Sequence, residues 1–242
     1  MSTLTKREKT QGTGRQCRAD AKWALLLTDT KYPMPRTVVP EELVREQACV
    51  PDGYLLARDH NTEHDPVIPR GAEIDLRLGN VFKLVKESDA GFHDTCESPA
   101  KLAWFVDDRW ELTVKPRQSG SSIRRLHDVP ENYDLLRDIE SPDDELICGA
   151  DDIDFADGPV FISRSVSVSV QVNNDPVTFD IREPLVSQIK ETAQAQGLPV
   201  GPDFALYQVF DDDSFGAALP NDTRICLMEG MEFRCVDTDD NS

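Results

Sequence analysis

The sequence predicts an α+β chain of three similar units, each a mixed sheet with one crossing helix. Three observations carry that expectation. Tyr133-Asp134-Leu135-Leu136-Arg137-Asp138 follows Tyr54-Leu55-Leu56-Ala57-Arg58-Asp59 at an offset of 79 residues, and eleven of the 32 positions from Tyr54 to Val85 agree without a gap. Ile74, Asp75, Gly79, Val81 and Phe82 fall on Ile153, Asp154, Gly158, Val160 and Phe161, and Val50-Pro51 precedes its tyrosine as Val129-Pro130 does. A looser third copy starts at Phe204 and, with one extra residue, repeats the Gly-x-x-Phe ending at Gly230-Met231-Glu232-Phe233. Internal repetition at such an interval marks repeated structural units. A unit of about 70 residues buries only about 60% of its unfolded surface, so neighbouring copies are expected to touch.

In the first copy the apolar run Trp23 to Thr28 reads as a strand, Asp29 to Pro35 as a turn and Arg36 to Val39 as the returning strand. Pro40-Glu41-Glu42 places proline and acids where a helix begins, with Leu43, Val44 and Ala48 as its apolar positions, ending before Pro51. Tyr54 to Arg58, a brief Val67-Ile68 and Val81 to Val85 complete the copy. In the second, Leu102 to Val106 and Trp110 to Val114 form a hairpin. Ser119 to Ser122 cap a helix with Ile123 and Leu126 on one face, and Tyr133 to Arg137, Leu146-Ile147 and Val160 to Ile162 follow. In the third, Val166, Val168, Val170 and Val172 alternate with polar residues, the period-2 signature of a half-buried strand. Asn173-Asn174-Asp175 turns the chain back into Val177, Phe179 and Ile181. Pro184 to Gln196 carries Leu185, Val186, Ile189 and Ala193 at helical spacing and closes on Gly197. Phe204 to Phe210, Ala217 to Leu219 and Ile225 to Val236 finish the unit.

These elements divide the chain into a disordered basic arm (1–21), a first domain (22–86), a linker (87–100), a second domain (101–164), a third domain (165–236) and an acidic tail (237–242). Net charge is −19, which argues against nucleic acid or an anionic membrane as partner, since phosphate binding needs basic density. Cys17, Cys49, Cys96, Cys148, Cys226 and Cys235 show no Cys-x-x-Cys pair and no secretory signal accompanies them, so reduced thiols in a cytoplasmic protein are expected.

A hairpin, a helix crossing back and two further strands make a two-layer α+β unit, the β-grasp arrangement. A strand returning after the helix should lie parallel to the first strand in the sheet centre. Val129-Pro130-Glu131-Asn132-Tyr133-Asp134-Leu135, the segments opening on Ile74, Ile153 and Ile225, and the Gly-x-x-Phe endings together resemble the bacterial multi-ubiquitin-like proteins, over residues 22–236. The resemblance implies three tandem β-grasp (ubiquitin-like) domains. It also implies partners, namely an activating enzyme, a conjugating enzyme and a JAB-type metalloprotease, in a pathway linked to antiphage defence. In that setting Val236, Asp237 and Ser242 mark the region of conjugation or processing. The chain departs from the family in having no glycine after Gly230. Either the pathway accepts another terminal residue, or the protein acts without covalent transfer, as a scaffold that self-associates.

Other candidates have plainer readings. His60 and His64 stand four apart among carboxylates, a partial metal motif in what reads as a loop. Asp211-Asp212-Asp213 lacks calcium-loop spacing and reads as a solvated turn. Cys235 lies near no histidine in sequence and reads as a strand-end cysteine rather than a thioester carrier. No phosphate loop, nucleophilic triad or cofactor motif stands out, so neither an enzyme nor a cofactor is expected.

Overall fold

The computed structural model describes residues 21–62, 65–90, 97–140 and 144–237. Among these the chain is α+β, with mixed sheets and three α-helices, and no helix is long and apolar enough to cross a membrane. The reading of residues 1–20 as disordered lies outside the described residues. Ala21, assigned to that arm, belongs to the fold: it is buried and forms a β-bridge with Ile139.

The first repeat runs β1 (Trp23–Leu27), β2 (Thr30–Met34), β3 (Val38–Pro40), α1 (Glu41–Gln47), β4 (Tyr54–Arg58), β5 (Glu73–Asp75) and β6 (Val81–Lys86). Its main sheet has the order β2-β1-β6-β4, and β3 pairs with β5. The second runs β7 (Leu102–Val106), β8 (Arg109–Thr113), β9 (Arg117–Ser119), α2 (Gly120–Leu126), β10 (Tyr133–Arg137), β11 (Glu145–Ile147), β12 (Asp152–Asp154) and β13 (Val160–Ser165). Here the order is β8-β7-β13-β10-β11, and β9 pairs with β12. The third runs β14 (Val168–Val172), β15 (Asp175–Phe179), α3 (Val186–Ala195), β16 (Ala205–Val209) and β17 (Glu232–Val236), in the order β15-β14-β17-β16. In all three sheets the last strand, not the first to follow the helix, pairs in parallel with the first, as β1–β6, β7–β13 and β14–β17.

The first hairpin turns earlier than expected. Thr28 and Asp29 adopt positive φ of 46° and 64° and close a two-residue turn, so the returning strand is Thr30–Met34, and Val38–Pro40 is a separate strand. Pro33 hid it: β2 lies at the sheet edge, where a missing N–H is tolerated. On α2, Ile123 is buried but Leu126 is 41% exposed, because a helix of two turns presents only one residue to the sheet. Ser163 to Ser165, expected to separate two units, continue β13 and pair with Tyr133 to Leu135. Strand β17 is shorter than the expected Ile225 to Val236.

Each sheet buries one face under its helix, around Leu25, Val44 and Phe82 in the first repeat, Trp104, Ile123 and Phe161 in the second, and Val170, Ile189 and Phe233 in the third. The repeated Asp75 and Asp154 cap short 3-10 turns, each Oδ1 accepting a backbone N–H at 3.0 Å from Arg77 and Ala156 respectively. Arg58 and Arg137 lie over the rings of Phe82 and Phe161, at 5.6 and 5.4 Å, and donate to the Asp75 and Asp154 carbonyls.

Candidate functional site

Two seams join the three sheets, and they are built differently. In the first, the faces that carry no helix meet. Ala24, Leu26 and Val81 pack on Ala103, Phe105 and Val160, a cluster whose members correspond pairwise at the 79-residue offset. The polar contacts are reciprocal too. The Lys22 and Lys101 N–H groups donate to the Asp138 and Asp59 carbonyls at 3.0 and 2.8 Å, and their ammonium groups pair with the same two aspartates at 2.8 and 2.9 Å. Residue i of one repeat meets residue j of the other, and j meets i, as across a two-fold axis. Asn80, 1% exposed, breaks the symmetry: its amide donates to the Ala24 and Ala103 carbonyls at 2.9 and 2.8 Å and accepts from the Ala103 N–H at 2.7 Å. A Cβ on Gly79 would stand 2.5 Å from Ala100 Cβ, and one on Gly158 would stand 2.6 Å from Ala21 Cβ. These glycines serve close approach as well as their φ of 132° and 116°. The end of the supposed linker is therefore pinned, with Ala100 bridged to His60.

The second seam is ionic and covalent. Arg182 grips Asp134 with two parallel bonds, Nε to Oδ1 at 2.7 Å and Nη2 to Oδ2 at 2.6 Å, while Nη1 donates to the Leu227 carbonyl at 2.7 Å. Both charged side chains are largely buried, and such forked pairs are strong and orienting. Beside them a disulfide joins Cys148 to Cys226, 78 residues apart. That corrects the expectation of reduced thiols throughout. The spacing gave no sign of the pair, since docking of two repeats, not local chain geometry, brings the sulfurs together.

Val236 ends the central strand β17 and is 50% exposed; Asp237 follows it at the surface. Ser242 lies outside the described residues. The exit of this strand is fixed by the Asn173-Asn174 turn, both at positive φ. The Asn173 side chain accepts from the Cys235 N–H at 2.8 Å and donates to its carbonyl at 3.2 Å, and Arg234 donates to Asn174 Oδ1 at 2.7 Å. Cys235 is buried in the third core, and burial pushes its thiol pKa up, away from nucleophilic use.

His60 sits in a β-bridged loop with its Nδ1 2.6 Å from the Ser98 carbonyl oxygen, and His64 lies outside the described residues. Asp211 to Asp213 are exposed, and Asp212 accepts from the Ser214 N–H at 3.1 Å. Among the described residues the grouping able to hold a metal ion is Cys148, Glu183 and Cys226, and it includes none of these candidates. A groove of about 250 Å³ lies beside the first seam, lined by Trp23, Met34, Lys31 and Asp138 among others. No protein-family model and no curated protein matches the chain.

Proposed function

We propose that the chain consists of three tandem β-grasp domains and serves as a ubiquitin-like protein modifier, handled by an activating enzyme, a conjugating enzyme and a JAB-type metalloprotease in a bacterial pathway linked to antiphage defence. The observation that carries this reading is the strand order repeated three times: a hairpin, a helix, and a last strand inserted parallel to the first at the sheet centre. The exposed Val236 and Asp237, emerging from the central strand of the third sheet, are in a position that an enzyme could reach. Full-length protein incubated with ATP and a bacterial ubiquitin-activating-like enzyme should form an adenylate or a thioester, read as an added mass. Absence of adenylate, thioester and conjugate overturns the modifier role.

The two seams favour a second reading, a rigid non-covalent scaffold that associates with itself. A buried apolar cluster, a forked ion pair and a disulfide hold the repeats in one arrangement, and the edge strand β2 offers backbone groups to a further chain. Light scattering separates the readings. A monomer both at full length and in a chain starting at Ala21 removes the scaffold.

A further inference from the structure

The disulfide at the second seam is more than a staple, because a carboxylate stands with it. The Cys148 and Cys226 sulfurs and a Glu183 carboxylate oxygen all lie within 4.8 Å of one another, and all three residues are half-buried. None of the three comes from the same turn. Cys148 sits in a turn closed by the Cys148 N–H donating to Asp151 Oδ2 at 2.9 Å and the Asp151 N–H returning to the Cys148 carbonyl at 3.0 Å. Two bonds from α2 tie that turn down, the Gly120 and Ser121 N–H groups donating to the Asp151 and Gly149 carbonyls at 2.9 and 3.0 Å. Cys226 lies between Ile225 and Leu227, whose N–H groups donate to the Pro184 and Arg182 carbonyls at 3.1 and 2.9 Å. Glu183 is aimed from the third repeat at the second, where it accepts a hydrogen bond from the Gly149 N–H. A Cβ at residue 149 would stand 2.8 Å from Glu183 Oε2, so a side chain there would push the carboxylate out of this position.

We propose that this cluster is a redox-dependent site for a thiophilic divalent cation of the zinc type, formed when a dithiol reductant opens the disulfide. In the first step two electrons pass to the S–S bond, giving two thiols while the dithiol becomes a disulfide. In the second, the cation replaces the two thiol protons, which leave to solvent, and the Glu183 carboxylate completes a Cys2Glu set with one position open to water. Ligand atoms at about 2.1–2.3 Å from one ion stand roughly 3.5–3.8 Å apart in a tetrahedron; the three ligand atoms lie within 4.8 Å of one another, and opening the disulfide frees the two sulfurs to part to that spacing. Two thiolates and a carboxylate would overcompensate a divalent ion by one negative charge. Arg224, which donates to the Glu183 carbonyl at 2.8 Å, and Arg124, which senses Glu183 electrostatically, offset that excess. Either state, disulfide or metal, clasps the second repeat to the third, beside the Arg182–Asp134 pair that spans the seam in both.

The test uses the full chain, reduced with a phosphine, freed of reductant without oxygen and titrated with zinc against a chromophoric indicator. Cobalt serves as a second probe, since thiolate ligation gives it a visible spectrum. Reduced protein should take up one zinc per chain more than oxidised protein, and the extra ion should be lost in Cys148→Ser/Cys226→Ser. Uptake by the reduced chain no greater than by that double variant overturns the site, because Cys17, Cys49, Cys96 and Cys235 are common to both. Glu183→Gln keeps both cysteines and can be checked for fold in the oxidised state. It should weaken binding by about 10–100-fold, the loss typical of a missing partner at a metal site, and unchanged affinity overturns the three-donor set.

Discussion

The first and third repeats share a sheet order but use the helix-free face in opposite ways. The central parallel pairs align Leu26 with Val81, Phe105 with Val160 and Gln171 with Glu232. Where the first two repeats carry leucine, phenylalanine and valines and bury them against each other, the third carries glutamine and glutamate; Glu232 is exposed and Gln171 half-exposed. The same split recurs two residues earlier in the strand of the hairpin: Ala24 and Ala103 are small enough for two sheets to close together, whereas the corresponding Ser169 is polar. One fold therefore supports either an isologous pair or a sheet face open to solvent, and a handful of side chains on one face selects between them.

The largest test of that contrast is Phe105→Glu against Gln171→Glu. Phe105 is fully buried between the first two sheets, and the Lys31 ammonium 5.1 Å from its ring offsets only part of a carboxylate's charge there. A loss of roughly 3–5 kcal/mol is expected, the size of losing a buried phenylalanine's packing. The matching change in the third repeat should stay within about 0.5 kcal/mol, like other surface substitutions. Urea denaturation of both variants decides; equal losses would mean that the third face is also covered.

Next in size is Gly158→Ala. The new methyl meets Ala21 Cβ at 2.6 Å in a backbone with φ of 116°, so overpacking of about 1–3 kcal/mol adds to backbone strain of about 1–3 kcal/mol. At Gly230, with φ of 76° and nothing within 4 Å of a Cβ, only the strain applies. Ala21→Gly should recover part of the Gly158→Ala loss, with a coupling of about 0.5–3 kcal/mol in a double-mutant cycle, and should do nothing for Gly230→Ala.

Asn80→Ala comes third. It strips partners from the Ala24 and Ala103 carbonyls and the Ala103 N–H at once, and orphaned buried groups cost about 1–3 kcal/mol. Hydrogen exchange should quicken in β7 and leave β14 unchanged, because the third repeat shares no bond with this residue among the described residues. A uniform change in all three sheets would contradict the placement of Asn80 at the first seam.

Much of the fold was legible because periodicity and turn chemistry are local. Tyr54–Arg58, Leu102–Val106 and α1 fall where the pattern puts them, and Asn173-Asn174 turns as their tolerance of positive φ predicts. The misses share a different cause. Pro33 and Pro35 mask an edge strand, since edge position is a property of the sheet and not of the segment. Gly79 and Gly158 read as turn residues, yet their second requirement is a methyl group of the other repeat. Cys148, Cys226 and Glu183 carry no spacing signal because two docked repeats bring them together. What the repeat could have revealed is the first seam: Ala21-Lys22 recurs as Ala100-Lys101 at the same offset, outside any core periodicity, which is the mark of a contact shared by two copies.

The smallest expected effect concerns pH and again divides the repeats, since residues 165–237 contain no histidine. His127, 4% exposed, lies edge-on to Trp104 at 6.1 Å, and its Nε2 is buried without a hydrogen-bond partner among the described residues. Burial first, and then the Arg109 guanidinium, hold its pKa below the ordinary value, against weaker opposing pulls from Asp107 and Asp128. The unfolded chain therefore binds the proton first as pH falls. The stability this imidazole contributes is complete above the unfolded pKa of about 6.5 and is lost progressively below it, at no more than about 1.4 kcal/mol per pH unit. Asp75, held below the ordinary carboxylate range by its bond to Arg77, adds its own loss only nearer pH 4, so the window from pH 6.5 to 5 separates the histidine from that carboxylate. Urea midpoints measured across that window should fall for the native chain and flatten in His127→Phe, which keeps a ring beside Trp104 and removes the titration. An unchanged slope in the variant would assign the acid sensitivity to another group.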